Sequence, residues 1–334
     1  MPKIAVVILN WNGVQLLERF LPSVIKYANN QKIYVADNAS TDSSVQFIKD
    51  NFPSVEIILN ASNGGYAKGY NDALQHVKED IFCLLNSDVE VTPNWLTPIL
   101  NYFNEDLNTA IVQPKILDLK KKTHFEYAGA AGGFLDSFGY PFCRGRIFDT
   151  LEEDKGQYND NLPIFWASGA CLFIRKTTFF DLGGFDEDYF AHQEEIDLCW
   201  RAQNRGLKIM YVGASTVYHL GGSTLSEMNP KKTFLNFRNS LFSIVKNTSL
   251  YKAFFIVMAR LLLDGIAGLR FLTQMRFKHC LAIVKAHFSF YWNIPKTLKK
   301  RRLNNNTKKY YLIKSVVWSY FVNGNKEFNN LVKD

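Results

Sequence analysis

The stretch Ile81-Phe82-Cys83-Leu84-Leu85-Asn86-Ser87-Asp88 joins five consecutive apolar residues to three polar ones. A short, uninterrupted apolar run is typical of a strand that is buried on both faces of a parallel sheet. The three polar residues then lie where the strand leaves the sheet. We therefore predict a buried strand over residues 81–85 that places the carboxylate of Asp88 at the edge of the sheet.

The same pattern occurs three more times toward the N-terminus, at Lys3–Leu9, Ile33–Ala36 and Val55–Leu59. Apolar residues at helical spacing separate these runs, most clearly over Val14–Tyr27. Strands that alternate with helices at this spacing indicate βαβ units and a right-handed, mostly parallel sheet. The predicted fold class is therefore α/β, with helices flanking the sheet.

Polar clusters follow each of these predicted strands, at residues 10–12, 37–42, 63–71 and 86–88. Open parallel sheets bind their ligands at the carboxyl ends of the strands, so we expect one crevice to collect all four clusters. The pattern after residue 100 is less regular. Glycine-rich segments there predict loops, a helix is predicted at Ile196–Asn204, and a strand is predicted at Leu207–Val212.

Charge is distributed unevenly along the chain. Residues 1–228 contain 19 Lys and Arg against 28 Asp and Glu, whereas residues 229–334 contain 20 against 3. A basic tail of this kind suits nucleic acid, a phosphorylated ligand or an anionic membrane. The five cysteines are scattered without a CxxC pair, and the first residues lack a signal-peptide pattern. We therefore expect a cytoplasmic protein that is not exported.

The segment Lys252–Lys278 predicts one amphipathic helix within this tail. At about 100° per residue, one stripe collects the polar residues, namely Lys252, Arg260, Asp264, Arg270, Gln274 and Lys278. Charges make a membrane span costly, so we expect the helix to lie in a membrane interface or to pack on the rest of the protein. The cluster Lys299-Lys300-Arg301-Arg302 would add attraction to anionic lipid.

Several groups of residues carry the chemistry that this sequence suggests, and three of them lie in the first ninety residues. Asp88 is a candidate ligand for Mg²⁺ or Mn²⁺, which accept carboxylate oxygens, although it would also serve as a simple turn or helix cap. Asp37 is suited to accept a hydrogen bond from a nucleobase, or to form an Asx turn with Asn38. The glycine-rich run 63–71 allows close backbone approach to a ligand, and Lys68 within it could contact phosphate.

Glu194, Glu195 and Asp197 crowd one short stretch before a predicted helix. Repulsion between them should raise the pKa of one carboxylate, which suits a general base. The alternative is a solvated helix N-terminus, where acids are favoured by the helix dipole. His219 lies beside Gly221-Gly222 and could complete the metal site, although an isolated histidine is more often structural.

Together these features resemble the family-2 glycosyltransferases, and within them the rhamnosyltransferase-like branch of bacterial surface-polysaccharide assembly. Seven matching stretches follow the family's order over about residues 3–240, namely 6–13, 37–42, 63–71, 84–89, 169–190, 194–201 and 219–224. The resemblance implies a GT-A fold, a divalent metal (Mg²⁺ or Mn²⁺) and inversion at the anomeric carbon. It also implies a catalytic domain over 1–228, with a donor half of about 1–115 and an acceptor half of about 116–228, followed by a membrane-associated region over 229–334.

The resemblance also assigns roles by position. Asp88 is similar to the metal ligand of the family's DxD-type motif, here Asn86-Ser87-Asp88, and His219 to its late metal-contacting histidine. Glu195 occupies the place of the family's base, with Glu194 and Asp197 as alternatives. The expected donor-binding residues are Asn10, Asn12, Asp37, Asn38, Asn63, Gly64, Lys68, Asn71, Asn86 and Ser87. The expected acceptor-binding residues are Trp166, Ser168 and Gly169.

The function expected from this resemblance is transfer of one sugar from a nucleotide-diphosphate sugar to a hydroxyl of a glycan or polyprenyl-diphosphate-linked acceptor. The basic tail would hold the protein at the inner face of the cell membrane. A nucleotide-sugar hydrolase or a nucleotidyltransferase is the enzymatic alternative, since both use carboxylates and metal. A nucleic-acid-binding protein is disfavoured because the candidate site lies in the acidic part of the chain.

Overall fold

The computed structural model of the chain describes residues 2–221, 229–301 and 309–333. The strands are β1 Ile4–Asn10, β2 Lys32–Asp37, β3 Glu56–Leu59, β4 Ile81–Asn86, β5 Val89–Val91, β6 Thr109–Asp118, β7 Gly133–Leu135, β8 Pro141–Cys143, β9 Arg146–Ile147, β10 Thr150–Leu151, β11 Asn161–Pro163, β12 Cys171–Arg175 and β13 Lys208–His219. The helices are α1 Val14–Lys26, α2 Ser44–Asn51, α3 Gly65–Leu74, α4 Leu96–Glu105, α5 Lys176–Asp181, α6 Glu194–Asn204, α7 Pro230–Asn247, α8 Leu250–Thr273, α9 Phe277–Lys299, α10 Val316–Phe321 and α11 Phe328–Lys333.

The central sheet has the strand order β11-β13-β6-β12-β4-β1-β2-β3, and β5 pairs with β13. Strands β1, β2, β3 and β4 are mutually parallel; β12 is antiparallel to both β4 and β6, and β13 is parallel to β6. Most strands of this sheet therefore run in one direction. The predicted α/β class with a mostly parallel sheet is confirmed, and core clusters on both faces of the sheet are buried by helices.

Two features of the second half differ from the sequence prediction. The segment predicted as loops over the sheet contains β7, β8, β9 and β10, which form a separate four-stranded antiparallel sheet. The strand predicted at Leu207–Val212 continues to His219, because β13 pairs along its length with β6 and then with β5. This extension carries His219 to the position next to Val89. The predicted domain boundary at 228 and the motif residues 222–224 lie outside the described residues.

The predicted helix over 252–278 is wrong in extent. Helix α8 ends at Thr273, and α9 begins at Phe277 after a turn in which Met275 has a positive φ. The orientation of α8 is also informative. Its polar residues Arg260 and Asp264 are buried against the protein, whereas its apolar side chains face outward.

The inward polar face of α8 is stabilised by an ionic network. Arg260 bonds to Asp264 at 3.0 Å, and Asp264 also accepts from Tyr140 at 2.6 Å and lies 3.0 Å from Nε2 of His287. Arg260 further donates to Ser240 on α7. Buried charges require partners of this kind. Because those partners lie on the protein, the apolar face is left exposed.

Several cations of the tail form ion pairs with acids in the first 221 residues. Lys300 contacts Asp186 at 2.5 Å and Asp188 at 2.6 Å, and Arg301 donates to the carbonyl of Thr248. Two members of the predicted lipid-binding cluster 299–302 therefore point into the protein, and Arg302 lies outside the described residues. Part of the charge asymmetry of the sequence is balanced internally.

Candidate active site

The crevice begins where β1 and β2 end side by side. Asn10 is paired in register with Asp37, and its amide donates to the Asp37 carboxylate at 3.1 Å. The second oxygen of Asp37 accepts from the backbone N–H of Ser40 at 2.9 Å. The side chain of Ser40 in turn accepts from the backbone N–H of Asn12. Asp37 is 3 % exposed, so its orientation is fixed before any ligand arrives.

A second amide cluster holds the glycine-rich run. Asn38 donates to the side-chain oxygen of Asn63 at 3.0 Å and to the carbonyl of Gly65, while accepting from Asn60. Gly65 has φ +79°, and a Cβ there would lie 2.4 Å from the carbonyl oxygen of Phe190. Only glycine fits at this position, so the start of α3 packs directly on the segment that precedes α6.

The other predicted donor residues of α3 make contacts within the protein. Lys68 forms an exposed ion pair with Asp72 at 2.9 Å. A Cβ on Gly64 would lie 2.6 Å from the Lys68 side chain. Asn71 both donates to the carbonyl and accepts from the N–H of Phe185. Binding of a donor by these residues stays a prediction, and for Asn71 the structure shows a role in holding the 184–185 turn.

Asp88 and His219 meet at the carboxyl end of β4. Nε2 of His219 lies 3.1 Å from Asp88 Oδ1 and 3.5 Å from the Asn86 amide. Ser87 is half-buried in the turn between them. Nδ1 of His219 lies 3.1 Å from Oε1 of Glu126. Burial alone would lower the pKa of His219, but the charges of Glu126 and Asp88 and their hydrogen bonds raise this pKa to about 10.

These residues have the donor chemistry of a divalent-metal site. Asp88 offers a carboxylate and His219 an imidazole nitrogen, both types that Mn²⁺ accepts, while Glu126 contacts the opposite ring nitrogen of His219. Across residues 2–221, 229–301 and 309–333, no group of three His, Cys, Asp or Glu side chains is already arranged as a metal cluster. Asp88 Oδ1 and His219 Nε2 are chemically suited to a divalent metal, and in this structure they contact each other directly.

Glu194 and Glu195 form the acidic centre of the site, at the start of α6. One oxygen of each, Oε2, is buried without a hydrogen-bond partner. Burial raises the pKa of Glu195 to about 7, and burial together with the Glu195 charge raises the pKa of Glu194 well above its usual range. Buried polar atoms normally find partners, so these two orphaned carboxylate oxygens distinguish the start of α6 from the rest of the core.

The segment that leads into these two acids is strained. Phe190, His192 and Gln193 all have positive φ, at 63°, 68° and 73°. For side chains other than glycine, such conformations each cost on the order of 1–3 kcal/mol and concentrate at functional sites. Asn239 of α7, fully buried, donates to the carbonyls of Tyr189, Ala191 and His192 at 3.0, 3.1 and 2.7 Å. The C-terminal helices therefore hold the backbone on which the two acids are mounted.

Asp197, the third predicted acid, has a different environment. It is fully buried and forms ion pairs of 2.9 Å with both Lys246 and Arg201, and Asn247 donates to its other oxygen. Although burial alone would raise the pKa of Asp197, these cations lower it below its usual range. A carboxylate so neutralised is a poor proton acceptor, so the structure argues against Asp197 as the base.

The predicted acceptor residues are mostly enclosed. The indole N–H of Trp166 donates to the carbonyl of Phe134, and Ser168 donates its backbone N–H to Gln113. Both side chains are at most 3 % exposed. Gly169 accepts from the Tyr66 hydroxyl at 2.9 Å. Trp166 and Ser168 therefore present almost no surface to an acceptor, and acceptor binding at this segment stays a prediction.

Sequence reasoning missed Glu126 and Asn239. Glu126 lies just before the glycine-rich stretch 129–133, in a segment without periodicity, and Asn239 lies in the middle of a helix within the basic tail. No local pattern distinguishes either residue. Each acquires its role only when β6 and α7 bring it beside residues more than 40 positions away.

Comparison with known families identifies the class of this site. The model of glycosyl transferase family 2 matches residues 5–179. The chain belongs to this family. It is a glycosyltransferase. Asp37 and Asp88 lie within the matched part of the chain, whereas Glu194, Glu195 and His219 lie beyond it.

Among curated relatives, this glycosyltransferase is similar to an N-acetylglucosaminyl-diphospho-decaprenol L-rhamnosyltransferase of Mycobacterium tuberculosis, with 26 % identity over 61 % of this chain and 71 % of that protein. It is also 26 % identical to the rhamnosyltransferase WbbL of Escherichia coli, over 64 % of this chain and 82 % of that protein. The predicted resemblance to rhamnosyltransferase-like members is thereby confirmed.

Two solved structures share the fold. One is GalNAc-T7 with UDP, GalNAc and Mn²⁺, with a TM-score of 0.57 and 18 % identity over 74 % of this chain, which spans about half (48 %) of that protein. The other is a mannosyltransferase of Pyrobaculum calidifontis with GDP-Man and Mn²⁺, with a TM-score of 0.56 and 12 % identity over 88 % of both chains. At these identities the likeness establishes the fold, and the predicted GT-A fold is confirmed.

Proposed function

We propose that this glycosyltransferase is metal-dependent and inverting, and that it moves one sugar from a UDP-, dTDP- or GDP-sugar to a hydroxyl of a glycan or lipid-linked acceptor in cell-surface polysaccharide synthesis. The observation that carries the proposal is the pair of buried acids, Glu194 and Glu195, with orphaned oxygens and raised pKa. An acid whose pKa lies near neutrality is suited to remove a proton from an acceptor hydroxyl.

Glu195 is the base in this proposal. Glu194 then remains protonated beside Glu195, and its neutral carboxyl group limits the repulsion that a Glu195 anion experiences.

Asp88 and His219 would hold Mg²⁺ or Mn²⁺, and Glu126 would orient His219 through its second ring nitrogen. When bound, such a metal stabilises the charge of a departing nucleoside diphosphate. Asp37, held by Asn10 and Ser40, would orient the nucleotide base. The buried frame keeps these groups fixed, and in-line positioning of two substrates supplies much of the rate of a displacement.

The acceptor is proposed to be lipid-linked, and the protein to lie peripherally on the cytoplasmic face of the cell membrane. The name of the Mycobacterium tuberculosis relative specifies a diphospho-decaprenol acceptor. Within the described residues, no helix is both long and apolar enough to cross a membrane. The support for surface binding comes instead from the outward face of α8 and α9.

That face is unusually apolar for a surface in water. Leu262 on α8 is 72 % exposed and Trp292 on α9 is 87 % exposed. Further exposed apolar residues of the two helices include Phe254, Phe255, Met258, Leu261, Ile266, Leu269, Leu281 and Phe288. The exposed cations Lys252, Lys278 and Lys285 lie on the same helices. Apolar side chains combined with cations are typical of interfacial helices on anionic lipid.

The test of function is a screen of nucleotide sugars with Mg²⁺ or Mn²⁺, measuring release of nucleoside diphosphate with and without a membrane lipid extract. Release that requires one donor, metal and the extract is expected. Equal rates of nucleoside-diphosphate release with and without the extract would favour the hydrolase alternative. Absence of release with every donor would refute the proposal.

Membrane binding is tested separately by sedimentation with vesicles that contain anionic lipid. Leu262→Ser and Trp292→Ser should each reduce the bound fraction because they remove exposed apolar surface from the interface. Leu107→Ser is the matched control, since Leu107 is 81 % exposed on the catalytic half. Equal binding by all variants would exclude α8 and α9 as the contact surface.

A further inference from the structure

Two buried arginines in the small sheet differ in their partners. Arg144 pairs with the Asp160 carboxylate and lies over the rings of Tyr158 and Tyr211. Arg146 is 8 % exposed, yet its Nε has no hydrogen-bond partner in the described part of the chain. Its Nη2 donates only to the Cys143 sulfur, at 3.6 Å, among the residues that the structure describes, and a hydrogen bond to sulfur is weak. A buried guanidinium with so few partners is costly unless a ligand completes it.

Arg146 is not isolated from the catalytic crevice. Its guanidinium lies 4.4 Å from the ring centroid of Tyr127, and the ammonium of Lys232, on α7, lies 5.6 Å from the same centroid. Tyr127 directly follows Glu126, which contacts His219 at 3.1 Å. Burial and the positive charge of Lys232 lower the pKa of His192. The buried Nε2 of His192 has no hydrogen-bond partner among the described residues.

We propose that Arg146, Tyr127 and Lys232 form a phosphate-binding subsite beside the reaction centre. Guanidinium groups suit phosphate because they offer parallel N–H donors, and a nearby ammonium adds a second charge. The negative charge of Glu126 partly balances the positive charge of Arg146. A bound phosphate group would accept the hydrogen bonds of the Arg146 guanidinium that no protein group in the described residues accepts. The subsite joins the small sheet to the first turn of the C-terminal helices.

A phosphate at this place has two sources in the proposed function, on which this inference rests: the diphosphate of the donor and the diphosphate of a lipid-linked acceptor. The shared chemistry is a diphosphate group, and binding measurements separate the two sources without any need for sugar transfer. Pyrophosphate binding can therefore be measured even if the transfer assay shows no activity. Conversely, the transfer assay can be interpreted even if no phosphate binds at this subsite.

The experiment measures binding of inorganic pyrophosphate and of UDP with Mg²⁺ by calorimetry to wild type, Arg146→Gln and Arg146→Lys. Arg146→Gln should weaken pyrophosphate binding about tenfold or more, and Arg146→Lys should retain much of it because the charge is kept. Lys208→Gln is the matched control, since it removes one exposed cation that pairs with Asp106 at the start of β13.

If Arg146→Gln weakens both ligands, the subsite contacts the donor. If it weakens pyrophosphate alone, the subsite serves the acceptor. Should Arg146→Gln fail to fold, Lys232→Gln tests the same subsite from a less buried position, and the same loss is expected. Wild-type affinity for both ligands in a folded Arg146→Gln protein would overturn the proposal and leave Arg146 as a counter-charge to Glu126.

Discussion

Replacement of Glu195 by Gln tests the proposed base while keeping its size. The amide cannot accept the proton of an acceptor hydroxyl, and loss of a general base typically costs a factor of about 10² to 10⁴ in rate. We expect kcat to fall by that factor while the affinity for the nucleotide is unchanged. Because burial raises the pKa of Glu195 to about 7, wild-type activity should rise with pH through neutrality, and the variant should lack this dependence.

Stability provides a second and independent measurement. The pKa of Glu195 is raised from 4.5 to about 7 in the folded protein, so the folded state binds more protons than the unfolded state between these values. Wild-type stability should therefore fall as pH rises through that window. One pKa unit corresponds to 1.36 kcal/mol, which gives a loss of at most about 3 kcal/mol. Glu195→Gln should not show this loss of stability. Its free energy of unfolding should therefore rise relative to that of wild type as pH increases.

The assays are nucleoside-diphosphate release across pH 5.5–8.5 and urea unfolding over the same range. Glu194→Gln is the matched comparison, since the adjacent acid has the same size and its pKa is also raised, by burial and by the charge of Glu195. A larger loss of kcat in Glu194→Gln than in Glu195→Gln would transfer the role of base to Glu194. Near-wild-type kcat and an unchanged pH profile in both variants would refute the argument that these acids deprotonate the acceptor.

Three further outcomes are expected. Asp88→Ala should abolish metal-stimulated transfer in a folded protein, and activity near wild type would remove Asp88 from the metal site. Asn239→Ala should reduce kcat about 10- to 100-fold through displacement of the strained 190–193 segment, with faster hydrogen exchange in that segment; unchanged exchange would show that Asn239 does not hold it. Asp264→Asn should lower the free energy of unfolding, measured in urea, by about 3–5 kcal/mol because Arg260 loses its buried partner. A much smaller decrease would show that the ion pair is not needed for stability.

Much of the donor side of the crevice could be predicted because it depends on local pattern. Apolar runs fixed where β1, β2 and β4 end, and parallel pairing then placed Asn10 beside Asp37 and Leu9 beside Asn86. The carboxyl ends of parallel strands always meet at one edge of the sheet. The sequence pattern therefore predicted that these polar clusters would share one edge of the sheet, and the strand order of the structure decided which of them are neighbours.

The environment of the acids could not be predicted in this way. Glu194, Glu195 and Asp197 look equivalent in the sequence, yet Lys246 of α7 neutralises Asp197 while the two glutamates are left with orphaned oxygens. Lys246 is 49 residues from Asp197 along the chain. A pKa depends on all charges and burial around a group, which only the packed structure assembles.

By itself the sequence determined an α/β sheet with four polar strand ends, an acidic stretch over residues 1–228 and an amphipathic segment in the basic tail. Helical periodicity showed that α8 has two faces. Only the tertiary structure decided which face turns inward, because the buried Arg260 and Asp264 find Tyr140 and His287 on neighbouring elements. A charged pair is stable in the interior when such partners are present, and the apolar face is therefore the one presented to the surroundings.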